Sequence, residues 1–319
     1  MKVLVTGAAG FIGGRLASRL LSDGLDGQDV EVIGLDSFTD HYDQTIKRHV
    51  SSRLSEHRCF TLVESDLNHG NWQHVLDDVE VVFHQAGQPG VRGSWANGFD
   101  AHVRQNVSAT QRLLEACARR PLRRFVFASS SSVYGNATAY PTSEDSLAQP
   151  LSPYGVTKLA AEQLCRAYAL NCDLPAVALR YFTVYGSGQR PDMAISRMIA
   201  AAQGRRPFPR FGDGEQVRDL THVDDVVTAN LAAVECEVTP GTVINVAGGA
   251  RVTVNELLEL VGTTVGRSVP IDDQPAQPGD LRRTHADTSR AHQLMGWQAV
   301  TDLTSGIAEQ VSGGVSKQR

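Results

Sequence analysis

Tyr154 and Lys158 stand four residues apart in Ser152-Pro153-Tyr154-Gly155-Val156-Thr157-Lys158. The run opens a helix that continues through Ala160, Ala161 and Leu164, so the phenol and the ammonium share one helix face. An ordinary tyrosine titrates near pH ~10 and is a poor base at neutrality. A lysine cation beside it stabilises the phenolate and makes a general base available. A lone pair at this spacing is as readily a packed tyrosine and a solvated lysine, so its chemistry depends on what surrounds it. Upstream, the strand Phe125 to Ala128 runs into Ser129, Ser130, Ser131 and Ser132, then Val133-Tyr134-Gly135. A hydroxyl there, with Ser130 as the candidate, can share a substrate's reacting oxygen with Tyr154; alternatively the serines cap the next element.

The second group is a glycine-rich turn, Thr6-Gly7-Ala8-Ala9-Gly10-Phe11-Ile12-Gly13, placed between a first strand and a first helix. Glycines there permit a tight turn, let a pyrophosphate reach the backbone and bring helix and strand close together. The helix N-terminus adds free N–H groups and a partial positive charge. Gly7, Gly10, Phe11, Ile12 and Gly13 are therefore expected to hold a dinucleotide. Asp36 ends the second strand, where a carboxylate accepts ribose hydroxyls and repels a 2′-phosphate, so NAD is favoured over NADP. The positive nicotinamide of NAD⁺ would help stabilise a Tyr154 phenolate. Asp66 and Leu67, after the third strand, either reach an adenine edge or form a turn only.

These groups need a scaffold that delivers strand ends to one crevice. Short β-branched runs alternate with amphipathic helical stretches, the pattern of a mainly parallel sheet covered by helices. Strands are expected at residues 3–5, 30–35, 60–63, 79–84, 125–128 and 176–179, and the first helix carries Phe11, Ile12, Leu16, Leu20 and Leu21 at helical spacing. Past about residue 180 the texture changes. Gly186 to Gly214 is rich in Gly, Pro and Arg, with a short helix at 194–203. Helices at 223–234 and 254–261 flank a strand at 243–246 that rejoins the main sheet. Residues 270–285 read as a Pro/Asp/Arg-rich stretch, and 312–319 as a frayed tail. The expected class is α/β: a Rossmann-like doubly wound parallel sheet with a smaller interleaved C-terminal substrate domain. The first unit is assigned residues 1–180 and 220–248, the second 181–219 and 249–319.

Of 319 residues, 41% are hydrophobic and 20% charged, with a formal net charge of −5. This mild acidity gives no reason to expect nucleic acid or a membrane surface as partner, so an anionic ligand needs local positive charge. Strand-forming residues run from Lys2 onward, so no signal peptide is expected, and no apolar run has the length of a membrane span. Cys59, Cys117, Cys165, Cys172 and Cys236 show no paired spacing and are expected to be reduced. The ten histidines show no metal-ligand spacing, so no metal is expected. His222, before Asp224-Asp225 at a helix start, reads as structural. The cytoplasm is the expected location.

Taken together, the glycine turn, the serine strand end and Tyr154/Lys158 resemble the extended short-chain dehydrogenase/reductase superfamily, in its nucleotide-sugar epimerase and dehydratase branch. The resemblance extends from the opening turn to Gly279-Asp280 and Ala286-Asp287. It implies NAD, a nucleotide-sugar substrate and a homodimer built through two helices. The 4,6-dehydratases carry Thr-Asp-Glu in the serine loop, and the decarboxylating synthases a Glu; here Ser131 and Ser132 occupy those places. That departure removes the acids of an elimination step and points to an epimerase or a ketoreductase.

Gly87-Gln88-Pro89-Gly90-Val91-Arg92 and Arg180-Tyr181-Phe182-Thr183-Val184-Tyr185-Gly186 through Arg190-Pro191-Asp192-Met193 are most similar to the UDP-glucuronate 4-epimerases, as is Gln277-Pro278-Gly279-Asp280. Galactose-type epimerases have Asn where Thr183 stands. By this resemblance Gln85, Ala86, Gly87 and Tyr181 line the cofactor, and Tyr134 packs on it. Thr183 with Ser130, Ser131 and Ser132 holds a sugar carboxylate. Arg190, Arg218 and Arg282 face a diphosphate, Arg92 is a further substrate contact, and Asp280 meets the uridine ribose. Gln85 departs from a commoner apolar pattern, and the residues offer no reason for it.

The implied reaction is C4 epimerisation. Tyr154 removes the C4 hydroxyl proton, the hydride leaves for NAD⁺, and the 4-keto sugar turns over before the hydride returns. UDP-glucuronate leads as substrate; UDP-glucose, its N-acetyl relatives and a dTDP-sugar stay open. So do decarboxylation, net ketoreduction and, outside enzymes, a non-catalytic NAD-binding regulator.

Overall fold

The computed structural model describes residues 1–70 and 72–315. Six strands alternate with helices in the first part of the chain: β1 Lys2–Thr6, β2 Glu31–Asp36, β3 Phe60–Glu64, β4 Val79–His84, β5 Arg124–Ser130 and β6 Ala176–Tyr181. Later strands are β7 Thr183–Tyr185, β8 Phe208–Phe211, β9 Val217–His222, β10 Val243–Val246, β11 Ala250–Thr253 and β12 Ile271–Gln274. The helices are α1 Phe11–Asp23, α2 Gln44–Ser55, α3 Trp72–Val75, α4 Phe99–His102, α5 Ala109–Cys117, α6 Pro153–Asn171, α7 Ala194–Ala202, α8 Val223–Glu235, α9 Val254–Val265, α10 Ser289–Met295 and α11 Leu303–Val315.

Among the described residues the main sheet has seven strands, all parallel, in the order β10-β6-β5-β4-β1-β2-β3. This is the doubly wound arrangement, and its order reverses between β1 and β4, where a crevice opens at the strands' C-terminal ends. Strands covered on both faces read as continuous apolar runs, and Val3, Leu4, Val5, Val81, Val82 and Phe83 are fully buried. Leu16, Ala17 and Leu20 carry α1 onto one face, with α8 beside it; Leu113, Leu114 and Ala161 bring α5 and α6 to the other.

A smaller three-stranded sheet, β11-β9-β7, and the pair β12-β8 are built from C-terminal segments. Tyr185, Met198, Phe208, Leu257, Val261 and Ile307 form their core. No strand is expected from the Pro/Asp/Arg-rich composition of 270–285, yet 271–274 pair with β8. Nor does order end at 312: α11 continues to Val315, docked by Ser187 Oγ donating to Glu309 O (3.3 Å) and Gly186 N–H to Gln310 Oε1 (3.0 Å). Residues 316–319 of the expected tail lie outside the described residues. None of the described helices is long and apolar enough to cross a membrane.

Candidate active site

A cavity of about 400 Å³ occupies the crevice at the switch point. The turn after β1 forms its wall. Gly7 has φ +70°, and a Cβ there would come within 2.9 Å of Ala86 N. A Cβ on Gly13 would strike the Gly7 carbonyl oxygen. Side chains are thus excluded where backbone must approach both a neighbour strand and a ligand. The α1 N-cap is Gly10, with no side chain to satisfy the first-turn N–H groups. That cradle fits the phosphates of a dinucleotide, and Gly7, Gly10, Phe11, Ile12 and Gly13 all line the cavity.

Asp36 lines it too. Oδ2 accepts from Ala9 N–H (3.2 Å) and Oδ1 from Phe38 N–H (2.8 Å), which fixes the carboxylate. Lys47, remote in sequence and unflagged by any motif, brings its ammonium to 3.6 Å from Oδ1 and to 3.2 Å from Thr39 Oγ1. Replacing Asp36 with Asn should leave Lys47 without its ion pair beside the ribose site. The ratio of NADP to NAD affinity is expected to rise about tenfold, ~1.4 kcal/mol; titration with both dinucleotides measures it. Leu67 lines the cavity, but Asp66 does not. Its carboxylate accepts from Asn68 N–H (2.8 Å) and Arg104 (2.8 Å), which makes it a turn residue tied to the π-helical segment 103–108.

Gln85, Ala86 and Gly87 follow β4 into the cavity. Beneath them, Ala86 N–H donates to Thr6 Oγ1 (3.1 Å), which meets His84 Nδ1 (2.7 Å). Thr110 donates to Asn106 O (2.7 Å) and so accepts from His84 Nε2–H (2.9 Å), which assigns the tautomer. Burial, aided by the Lys158 charge, drops His84 to about 3, so it is a neutral strut. Asn106 lies in a π-helical segment, 103–108, a frequent device at functional sites. Its amide accepts from Gln88 N–H (2.7 Å) and donates to Gln88 O (3.0 Å) and Thr157 Oγ1 (3.0 Å), locking the loop to α6.

α6 starts as its sequence dictates. Ser152 caps it by accepting from Gly155 N–H (3.1 Å), and Pro153 fills the first turn, where no N–H is needed. Tyr154 and Lys158 line the cavity together. Lys158 is buried, donates to Ala128 O (2.9 Å) and is lowered to about 8 by that burial. Burial raises the Tyr154 phenol, while hydrogen bonding by Ser130 and the charge of Arg190 pull it down. The Lys158 ammonium is held against a β5 carbonyl, and Ser130 and Arg190 counter the effect of burial on the phenol.

Strand alternation sorts the serines. Ser129 points away and donates to Glu162 Oε2 (2.7 Å), whose carboxylate grips Arg180 at 2.6 and 2.9 Å. Ser130 faces the cavity, and its Oγ caps the following turn by accepting from Ser132 N–H (3.2 Å). Ser131 and Ser132 line the cavity with it. Tyr134 does not: the turn drops it into the core, where it donates to Asn245 Oδ1 (2.6 Å) and packs on Phe182.

A second cavity of about 180 Å³ adjoins the first, and Thr183 and Met193 line both. Arg92, Arg218 and Asp280 line the second. Asp280 accepts from Arg218 (2.6 Å) and lies 3.5 Å from Arg92, whose guanidinium covers Phe211 at 3.8 Å. Arg190 lines the first cavity, held at 2.9 and 3.0 Å by Asp192. Arg282 is not brought in. It is exposed and bonded to Asp213 (2.7 Å), outside the lining of either cavity.

His222 caps α8 through Nδ1, which accepts from Asp224 N–H (3.3 Å). Asp224 and Glu309 gather beside it, but Arg15 holds Asp224 with two hydrogen bonds, so a guanidinium already supplies the cation.

Fold and site together define a dinucleotide-dependent enzyme. Residues 3–247 match the NAD dependent epimerase/dehydratase family, and the chain belongs to it. It is 39% identical over 312 residues to YtcB of Bacillus subtilis, an uncharacterized UDP-glucose epimerase, covering 98% of this chain and 97% of that one. It is 33% identical to the UDP-glucuronate 4-epimerase of Thermodesulfobacterium geofontis, covering 97% and 94%. The Bacillus cereus UDP-glucuronic acid 4-epimerase, solved with UDP-glucuronic acid and NAD, superposes with a TM-score of 0.94 at 38% identity, covering 99% of each chain.

Proposed function

We propose that the protein epimerises a UDP-sugar at C4 and that the sugar is UDP-glucuronate. The observation that carries this reading is the site itself: Tyr154 and Ser130 face one cavity while the loop from Ser130 to Ser132 supplies hydroxyls instead of acids. Such a loop can hold a carboxylate but cannot deliver a proton for elimination.

In the proposed reaction Tyr154 takes the proton of the C4 hydroxyl, and Ser130 hydrogen-bonds the same oxygen. NAD, when bound, supplies the oxidising and reducing equivalents for C4. Lys158 and Arg190 add positive charge near the phenol. Arg92, Arg218 and Asp280 anchor the nucleotide end in the adjoining cavity, so the sugar can turn while the nucleotide stays. Arginine forks match phosphate oxygens. A 4-keto uronate is a β-keto acid prone to lose CO₂. Thr183, at the junction of the two cavities, holds the carboxylate out of the alignment that favours this loss. Asp66 and Tyr134 have no part in the proposed site, and Arg282 none with its present partner.

A second reading, UDP-glucose as substrate, is favoured by the name of the Bacillus subtilis relative. Incubation with UDP-glucuronate and with UDP-glucose, followed by proton NMR of the anomeric signals, separates the two. Growth of the UDP-galacturonate doublet without CO₂ release supports the uronate; conversion of UDP-glucose alone overturns it and the role of Thr183.

The residue division into a cofactor unit (1–180, 220–248) and a substrate unit (181–219, 249–319) is proposed with this function. A homodimer is proposed on α6, where Val156 and Leu170 stay 48% and 60% exposed. Five free cysteines suit a cytoplasmic enzyme.

A further inference from the structure

Gln85 stands where the family resemblance leads one to expect an apolar side chain, and the structure shows what it meets. Its Nε2 donates to Asn230 Oδ1 (2.9 Å), and its Oε1 lies 3.2 Å from the Tyr181 hydroxyl. That hydroxyl is also 3.0 Å from Asn230 Oδ1. Asn230, in α8, is fully buried and is itself tied down by donating to Val226 O (2.7 Å). Three elements distant in sequence thus meet in one hydrogen-bonded triangle: the end of β4, the end of β6 and the middle of α8.

Gln85 and Tyr181 line the large cavity; Asn230 does not. The location of Tyr181 is informative. It pairs in register with Ser130 across β5 and β6, so it sits at the reacting end of the cavity and not at the Asp36 end. Its hydroxyl is spent behind the wall, on two amide oxygens that compete for one proton, and burial raises that phenol. Two tyrosines therefore line the same cavity in opposite states of engagement: Tyr154 faces Ser130, and Tyr181 is anchored away from it.

An apolar pair would fill the space between α8 and β4 without desolvating two amides. A fully satisfied buried polar unit instead fixes orientation. We infer that Asn230 is a positioning residue: through Gln85 and Tyr181 it holds the wall against which the redox end of the dinucleotide rests. This rests on the family's dinucleotide chemistry and deepens the epimerase reading. A loosened wall lets the cofactor escape faster and lets the reduced enzyme miss the return step, leaving a larger share of NADH-loaded protein and free 4-keto sugar.

The test uses the holoenzyme with Gln85→Leu, Asn230→Leu, the double variant Q85L/N230L, and Tyr181→Phe. Each single leucine breaks one side of the triangle, and the double variant also strips the buried Tyr181 hydroxyl of both acceptors, so its thermal stability is measured beside its NAD release. Tyr181→Phe removes only the hydroxyl. Dissociation of NAD is followed directly, and bound NADH is read by its near-ultraviolet absorbance during turnover. A misplacement of about 1 Å by a remote change can cost ~10²-fold. The expected result is NAD release accelerated about tenfold or more in both the double variant and Tyr181→Phe, with a raised NADH-loaded share. Wild-type release rates and partition in these two variants would overturn the inference and leave the triangle as packing. A wild-type protein that turns over no UDP-sugar would defeat the epimerase reading alone, because the NAD release rates still decide the inference.

Discussion

Tyr154→Phe is expected to lower kcat by ~10²–10⁴-fold, the usual contribution of a positioned acid–base group, while NAD stays bound. The ring remains, so its contact with His102, with centroids 5.8 Å apart, and the start of α6 should survive. What disappears is the one group aimed at the substrate oxygen that can carry a proton away and bring it back. Because the C4 proton must leave and return in each turnover, water would have to do both jobs in a cavity walled by Ser130, Phe182 and Arg190. Steady-state rates on UDP-glucuronate and the NAD content of the purified variant give the two readouts. A variant with near wild-type kcat would remove Tyr154 from the chemistry.

The second large effect concerns Lys158. Its pKa is lowered to about 8 because burial disfavours the ammonium. The charged form, which donates to Ala128 O and supplies positive charge near the phenol, is present below that value and is lost above it. Tyr154 is raised by burial, so its loss of a proton is favoured by rising pH. Opposed requirements of this kind give a bell-shaped profile. Lys158→Met, which removes the cation at every pH, is expected to lower kcat by ~10²-fold or more and to abolish the alkaline limb. Lys158→Arg keeps a charge that does not titrate in this range. Its activity at neutrality should be reduced by the poorer fit at Ala128 O, but the alkaline fall should move to higher pH. An Arg variant with an unmoved alkaline limb would assign that limb to another group.

What sequence reading recovers here is local. The glycine turn, Asp36, Ser130 and the Tyr154/Lys158 pair each lie at the end of a strand or the start of a helix whose periodicity is visible within a dozen residues. Their meeting follows from the alternation of strand and helix alone, since a doubly wound sheet gathers strand ends at one crevice. Errors and omissions fall on contacts between distant segments. Arg282 is turned to Asp213, 69 residues away, and Asp66 to Arg104, 38 away. Tyr134 follows the serines but reaches Asn245, 111 residues on. Lys47, Asn106 and Asn230 carry no motif, because a single buried side chain opposite the site leaves no periodic trace. Gln85 did leave one, an amide where an apolar residue is the habit, and its meaning became readable only with Asn230 and Tyr181 beside it. Strand 271–274 escaped for another reason: Ile-Asp-Asp-Gln is polar, mostly exposed and paired only with β8.

C4 epimerisation by a retained dinucleotide is tested with UDP-glucuronate carrying deuterium at C4, incubated with the enzyme and no added dinucleotide. The expected product is UDP-galacturonate with the deuterium still on C4, because the same hydride leaves and returns within one closed site. Product with protium at C4, or no galacto-configured product at all, would contradict it.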